Sequence, residues 1–139
     1  MSNPKAQVTL EWGDGEYLFA LRGKEIEELE QVCGKIGFGA IFQRVSLGVW
    51  FWGDLYHTIR LGLIGGGMGP IEAKRLTDMY IGKDRPSVPM VSGPNSPETV
   101  AQAILKAVMH GLEDIPSGEA RAGESPANAS TSQDTGQPS

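Results

Sequence analysis

The sequence predicts an α+β fold that is mostly α, with an N-terminal β-hairpin packed on a small bundle of about five short helices. Three observations carry that expectation. Two stretches near the start alternate apolar and polar residues about a Gly-Asp-Gly turn. Later stretches repeat their apolar residues at helical spacing. Glycines and prolines mark the borders between them.

In "AQVTLEW", Val8, Leu10 and Trp12 alternate with polar residues, and in "EYLFALR" Tyr17, Phe19 and Leu21 do so less regularly. Asp14-Gly15 between them is a favoured tight turn. A lone hairpin is marginal in water, so this one has to lie against apolar surface. In "KEIEELEQVCGKIG", Ile26, Leu29, Cys33 and Ile36 share one side, and Gly34 and Gly37 end the helix. Glu25, Glu27, Glu28 and Glu30 read as its solvated face.

"FGAIFQRVSLG" follows, with Ile41, Phe42 and Val45 as its apolar side. "WGDLYHTIRLGLIGG" places Leu55, Ile59 and Leu63 on one face, and Asp54 near its start suits the helix dipole. In "GPIEAKRLTDMYIG", Pro70 fits a first helical position, and Ala73, Leu76 and Tyr80 form the stripe with Ile71 and Met79 at its edges. "KDRPSVPMVSGPNS" has three prolines and reads as a loop. Ser96-Pro97-Glu98-Thr99 reads as an N-cap, a proline at N1 and an acidic first turn. It opens a last helix lined by Val100, Ile104, Val108 and Leu112.

From Pro116 onward no large apolar residue occurs. Such a segment cannot bury enough surface to offset its ordering entropy. The expectation is one folded domain over residues 1–115 and a disordered tail over 116–139. The 139 residues, 40% hydrophobic and 21% charged, suit a globular domain of ordinary composition. A net charge of -5 and scattered Lys and Arg argue against nucleic acid as a partner, Lys74-Arg75 being a short basic pair on an exposed helix face. The start lacks a signal-peptide run, and no stretch approaches the roughly 20 apolar residues of a membrane span. Cytoplasmic localisation and no membrane partner are expected.

Four of the five residues from Gly65 to Gly69 are glycine, a density that raises the question of a phosphate loop. A Walker-type loop needs Lys and Ser/Thr where Met68 and Gly69 stand, and the dinucleotide fingerprint needs glycine where Pro70 stands. Both motifs also follow a strand, whereas "DLYHTIRLGLI" has helical spacing. Gly65, Gly66, Gly67 and Pro70 therefore read as a structural corner between two helices. Gly62, inside the preceding helix, points to a close neighbour.

Other chemistry has little support. The single cysteine, Cys33, lies in an apolar stripe and reads as a buried thiol, so no disulfide or Cys-based metal site forms. His57 and His110 lack metal-ligand spacing, and His110 suits a helix C-terminus. Ser46 lacks a nucleophile-elbow context. No catalytic residue, metal or cofactor is assigned, and the expectation is a non-enzyme.

"LGVWFWGDL" puts Trp50, Phe51 and Trp52 side by side, and no helix or strand sends three consecutive rings one way. Either the chain kinks at Gly48 and Gly53 to bury all three, or a ring is left for a partner. With Tyr56, these are the candidate partner-binding residues.

Laid out this way, the chain resembles the small tail-assembly protein of gene transfer agents and related long-tailed phages. A G-x-Y-x-L strand, an I-x-E-L-E helix, a G-x-G-x-I-x-R segment and an I-R-x-G-L-I-G-G-G corner occur in order over about residues 12 to 112. "EAKRLTDMY" and "VAQAILKAVMHGL" follow. That family is described both as a tail-assembly chaperone and, in some naming, as a tail-tube protein. The chaperone reading implies binding to the tape-measure protein and recruitment of tail-tube subunits. The alternative is a structural tail-tube component. Homo-oligomerisation stays open.

Overall fold

The computed structural model describes residues 5–84, 89–91 and 93–111. The expected loop 83–96 lies only partly inside these ranges, and Leu112, the boundary at residue 115 and the tail 116–139 lie outside them. The chain forms β1 (Gln7–Trp12), β2 (Gly15–Ala20), α1 (Gly23–Val32), α2 (Phe38–Leu47), α3 (Trp52–Gly65), α4 (Pro70–Ile81) and α5 (Pro97–His110). This is an α+β fold, mostly α, with an antiparallel hairpin followed by helices.

The strands pair in the register Val8↔Phe19, Leu10↔Tyr17 and Trp12↔Gly15. The turn therefore consists of Gly13 and Asp14, one residue earlier than the expected Asp14-Gly15. Gly13 adopts φ +60 at the first turn position, the requirement of a type II′ hairpin. A side chain at Gly13 would also enter the Tyr80 ring, with a Cβ 2.4 Å from Cε2. Tyr80 in turn meets Trp12 edge-on, with ring centroids 5.9 Å apart. Phe19, Leu21 and Trp12 are buried, so the alternating face of the hairpin is its core face.

α3 is the central element. Its expected stripe Leu55, Ile59 and Leu63 is buried, but so are Asp54, Tyr56, Thr58, Leu61, Gly62 and Gly65. It packs against β2, α1, α4 and α5, which leaves little of its circumference to solvent. A Cβ at Gly62 would lie 3.1 Å from Phe19 Cδ1 and 3.2 Å from Ile104 Cδ1. Glycine there lets the hairpin and α5 close on the same turn.

The glycine run closes α3 with a Schellman pattern. Met68 N–H donates to Leu63 O at 3.0 Å and Gly67 N–H to Ile64 O at 2.9 Å, with Gly67 at φ +116. Gly69 then serves as N-cap, and Pro70 opens α4. Gly66 has ordinary right-handed angles, φ −79 and ψ −3, so its backbone conformation does not demand glycine. Space does. A Cβ at Gly66 would lie 1.9 Å from Leu18 O, and one at Gly65 1.9 Å from Ala20 O. The Cα hydrogens of both glycines thus face the outward carbonyls of β2, as in Cα–H···O contacts.

The glutamates of α1 are not a uniform solvated face. Glu25 is buried and accepts from Arg22 N–H at 3.0 Å, which satisfies a donor just ahead of the first turn. Glu30 accepts from Phe38 N–H at 2.9 Å at the start of α2, and Glu28 reaches Arg60 at 3.5 Å. At α5, Thr99 N–H donates to Ser96 Oγ at 3.3 Å, the N-cap expected from Ser96-Pro97.

Gly66→Ala is expected to cost about 3 kcal/mol, because a strand or a helix end has to move. Gly39→Ala, inside α2 with open space around its Cβ position, is the control and should hold or slightly raise stability. Urea denaturation of both variants checks this, and equal midpoints would contradict the close approach.

Candidate functional site

The turn between α2 and α3 sorts the aromatic run into two sets. α2 stops at Gly48, whose φ of +77 allows a second Schellman closure, with Val49 N–H on Arg44 O at 2.9 Å and Gly48 N–H on Val45 O at 3.3 Å. α3 starts one residue after Phe51, whose N–H donates to Asp54 Oδ2 at 2.9 Å. Gly53 lies inside the first turn of α3, so the chain bends at Gly48 and not at Gly53.

Trp50 and Trp52 are half-buried, and both indoles are tied down. Trp50 Nε1 donates to Glu98 Oε2 at 2.8 Å, and Trp52 Nε1 donates to Ile81 O at 3.0 Å. Trp52 stacks on buried Tyr56 with centroids 4.6 Å apart. The Tyr56 hydroxyl donates to Asp78, and burial followed by that carboxylate pushes the phenol up to about 12. Burial tends to raise the Asp78 carboxyl, but Lys74 and Tyr56 outweigh it and hold the group below its usual range.

Phe51 is not buried: it is 67% exposed. Leu47 at 71% and Val49 at 62% are exposed beside it in sequence. Leu47, Val49 and Phe51 form an outward strip, while Trp50 and Trp52 form its base. Sequence reasoning named the three rings and missed Leu47 and Val49. For Val49 the usable signal was the alternation in "VWF", which a short extended linker splits between outside and inside, whereas Leu47, the last residue of α2, carried no such signal.

An ion pair holds the linker in place. Arg44 Nε and Nη2 donate to Asp54 Oδ2 and Oδ1 at 2.9 and 2.5 Å, and Nη2 also donates to Cys33 O at 3.3 Å. Its guanidinium lies 5.0 Å from the Phe51 ring centroid, under the exposed strip. Asp54 is 1% exposed, so this carboxylate depends on Arg44 for its charge balance.

A cavity of about 670 Å³ is lined by Trp52, Tyr56, Lys74, Asp78, Met79 and Lys83 among others. A second, of about 370 Å³, runs over Trp50, Trp52 and Met90. Lys83 Nζ stands 5.8 Å from the Trp52 ring centroid. Among the described residues, no cluster of His, Cys, Asp and Glu is arranged to hold a metal, and no helix is long and apolar enough to cross a membrane. Cys33 is buried, and burial followed by Asp54 pushes its thiol up to about 12, far from a reactive thiolate. Burial and then Arg60, whose Nη2 lies 3.1 Å from Nδ1, push His57 down to about 4. His110 is the last residue of α5 and meets Phe42 edge-on at 5.8 Å.

A family model described as "Phage tail tube protein, GTA-gp10" matches residues 5–111, and the chain belongs to that family. No curated protein and no solved structure matches the chain.

Two outcomes are expected. Arg44→Met leaves Asp54 buried without its partner and should cost about 3 kcal/mol in urea denaturation. His57 is neutral in the fold and protonates more readily when unfolded, so its contribution is present above about pH 6.5 and is lost as pH falls towards 4. After allowance for solvent screening this amounts to roughly 1 kcal/mol. His57→Gln should therefore flatten the loss of stability between pH 7 and pH 4.5, and an unchanged slope would contradict the assignment.

Proposed function

We propose that this member of the phage tail family is a non-enzymatic tail-assembly chaperone or adaptor. In this reading it acts in the cytoplasm, binds the tape-measure protein and recruits tail-tube subunits to it. One observation carries the reading: Leu47, Val49 and Phe51 stand exposed together on a base that is itself fixed by Glu98, Ile81 and the Trp52–Tyr56 stack. Exposed apolar side chains on an ordered support are the usual anchors of a protein interface.

The alternative is a structural tail-tube component, which the family's own description favours. The sheet counts against it. Among the described residues it has two strands, and the end of α3 covers the outer edge of β2. Little sheet is left for subunits to share in a ring.

Co-expression with the neighbouring tape-measure protein, followed by affinity capture and sizing, separates the two. The expected result is a soluble complex, with Phe51→Ser recovering about tenfold less tape-measure protein while staying folded. Recovery of this protein alone, assembled into rings, would give the tube reading instead.

A further inference from the structure

The two outer edges of the hairpin differ. The Leu18 and Ala20 carbonyls of β2 point to Gly66 and Gly65, away from β1. Their cross-strand partners are Thr9 and Gln7. In an antiparallel pair, facing residues turn their backbone groups away from each other together, and the pattern alternates along the strand. Gln7, Thr9 and Glu11 therefore present their N–H and C=O groups at the outer edge of β1. The side chains of all three are exposed. Among the described residues no backbone group bonds to that edge, and the Asn95 side chain reaches it at Glu11 Oε1, 3.3 Å away.

β1 also lacks the usual guards of an open edge. From Gln7 to Trp12 it carries no proline, lysine or bulge, and its one charge is Glu11. Val8 and Leu10, on its core face, are only half-buried. Free backbone and half-covered apolar side chains together call for a neighbouring strand.

The strand that fits is a second copy of β1. Two such strands, antiparallel about a two-fold axis at Thr9, set Thr9 against Thr9, Gln7 against Glu11 and Val8 against Leu10. Each outward backbone group then has a partner. Thr–Thr and amide–carboxylate pairs are favourable across strands, and the apolar pair completes the burial of Val8 and Leu10. No like charges face each other, whereas an axis at Glu11 would set two carboxylates together.

We infer that this chain forms a two-fold dimer through β1, joining two hairpins in one four-stranded sheet centred on Thr9. The contact consumes the open edge of each copy, and α3 covers the edge of β2, so assembly stops at two. It uses no residue of the exposed strip and does not depend on the tail-assembly reading.

Sedimentation equilibrium of the full chain over a concentration series tests it, with urea denaturation of dilute protein as the check on folding. The expected species is a dimer. Thr9→Pro removes an outward N–H and leaves every β1–β2 bond in place, so it should keep the fold and give a monomer. Thr9→Lys keeps the backbone intact but sets two ammonium groups opposite each other, and should weaken the dimer about fivefold. Gln7→Lys meets Glu11 of the second copy and should strengthen it about fivefold, while Gln7→Glu should weaken it as much. A monomer at every concentration up to about 1 mM overturns the inference, as does a dimer that persists in folded Thr9→Pro. Should Thr9→Pro unfold, the Thr9→Lys and Gln7 variants decide: a dimer indifferent to all three is not built on β1. Rings or longer polymers would overturn it too, since this pairing closes at two copies.

Discussion

Where the end of α3 meets the outer edge of β2, backbone touches backbone, and the molecule is arranged around that contact. A two-stranded hairpin has little independent stability, and its outer edge exposes polar groups. Here the Leu18 and Ala20 carbonyls face Gly66 and Gly65, and Arg22 Nε donates to Gly65 O at 3.2 Å. One glycine pair thereby closes the sheet edge and seats the start of α1. With α3 drawn this close, Gly62 admits Phe19 and Ile104 to the same turn, and the helix becomes buried on nearly every side.

The opposite end of α3 is held by different chemistry. Asp54 in its first turn binds Arg44 of α2 and the Phe51 N–H, and Arg44 also reaches the carbonyl of Cys33 after α1. A buried pair of this kind adds little over an apolar core, but it is costly to break, so it specifies the path of the chain more than it stabilises it. That path turns Trp50 and Trp52 inward and leaves Phe51 outside. The exposed strip follows from the ion pair.

Much of this was legible in the residues themselves. Helix borders were the easiest part, because Pro70, Ser96-Pro97 and the glycines act through local backbone geometry. The hairpin was legible too, but its turn was misplaced by one residue. Asp14-Gly15 is the better local turn, whereas the packing of Tyr80 against Gly13 is a tertiary fact. The full burial of α3 was hidden because Thr58, Asp54 and Gly62 do not look apolar. Glu25 and Glu30 looked like solvent-facing charges, and only the fold shows that they bind backbone N–H groups. At the site, three adjacent rings announced a conflict, but which ring would lose depended on Asp54 and Arg44.

The contact between Gly65–Gly66 and β2 also joins segments about 45 to 48 residues apart in sequence. At a synthesis rate of about 5–20 residues per second, the helix end that covers the hairpin follows it by seconds. Because a lone hairpin is marginal in water, the β2 edge gains its intramolecular cover only when that helix end is available to pack on it. The same two glycines that shape the finished domain thus also make its first strand pair wait for residues made much later.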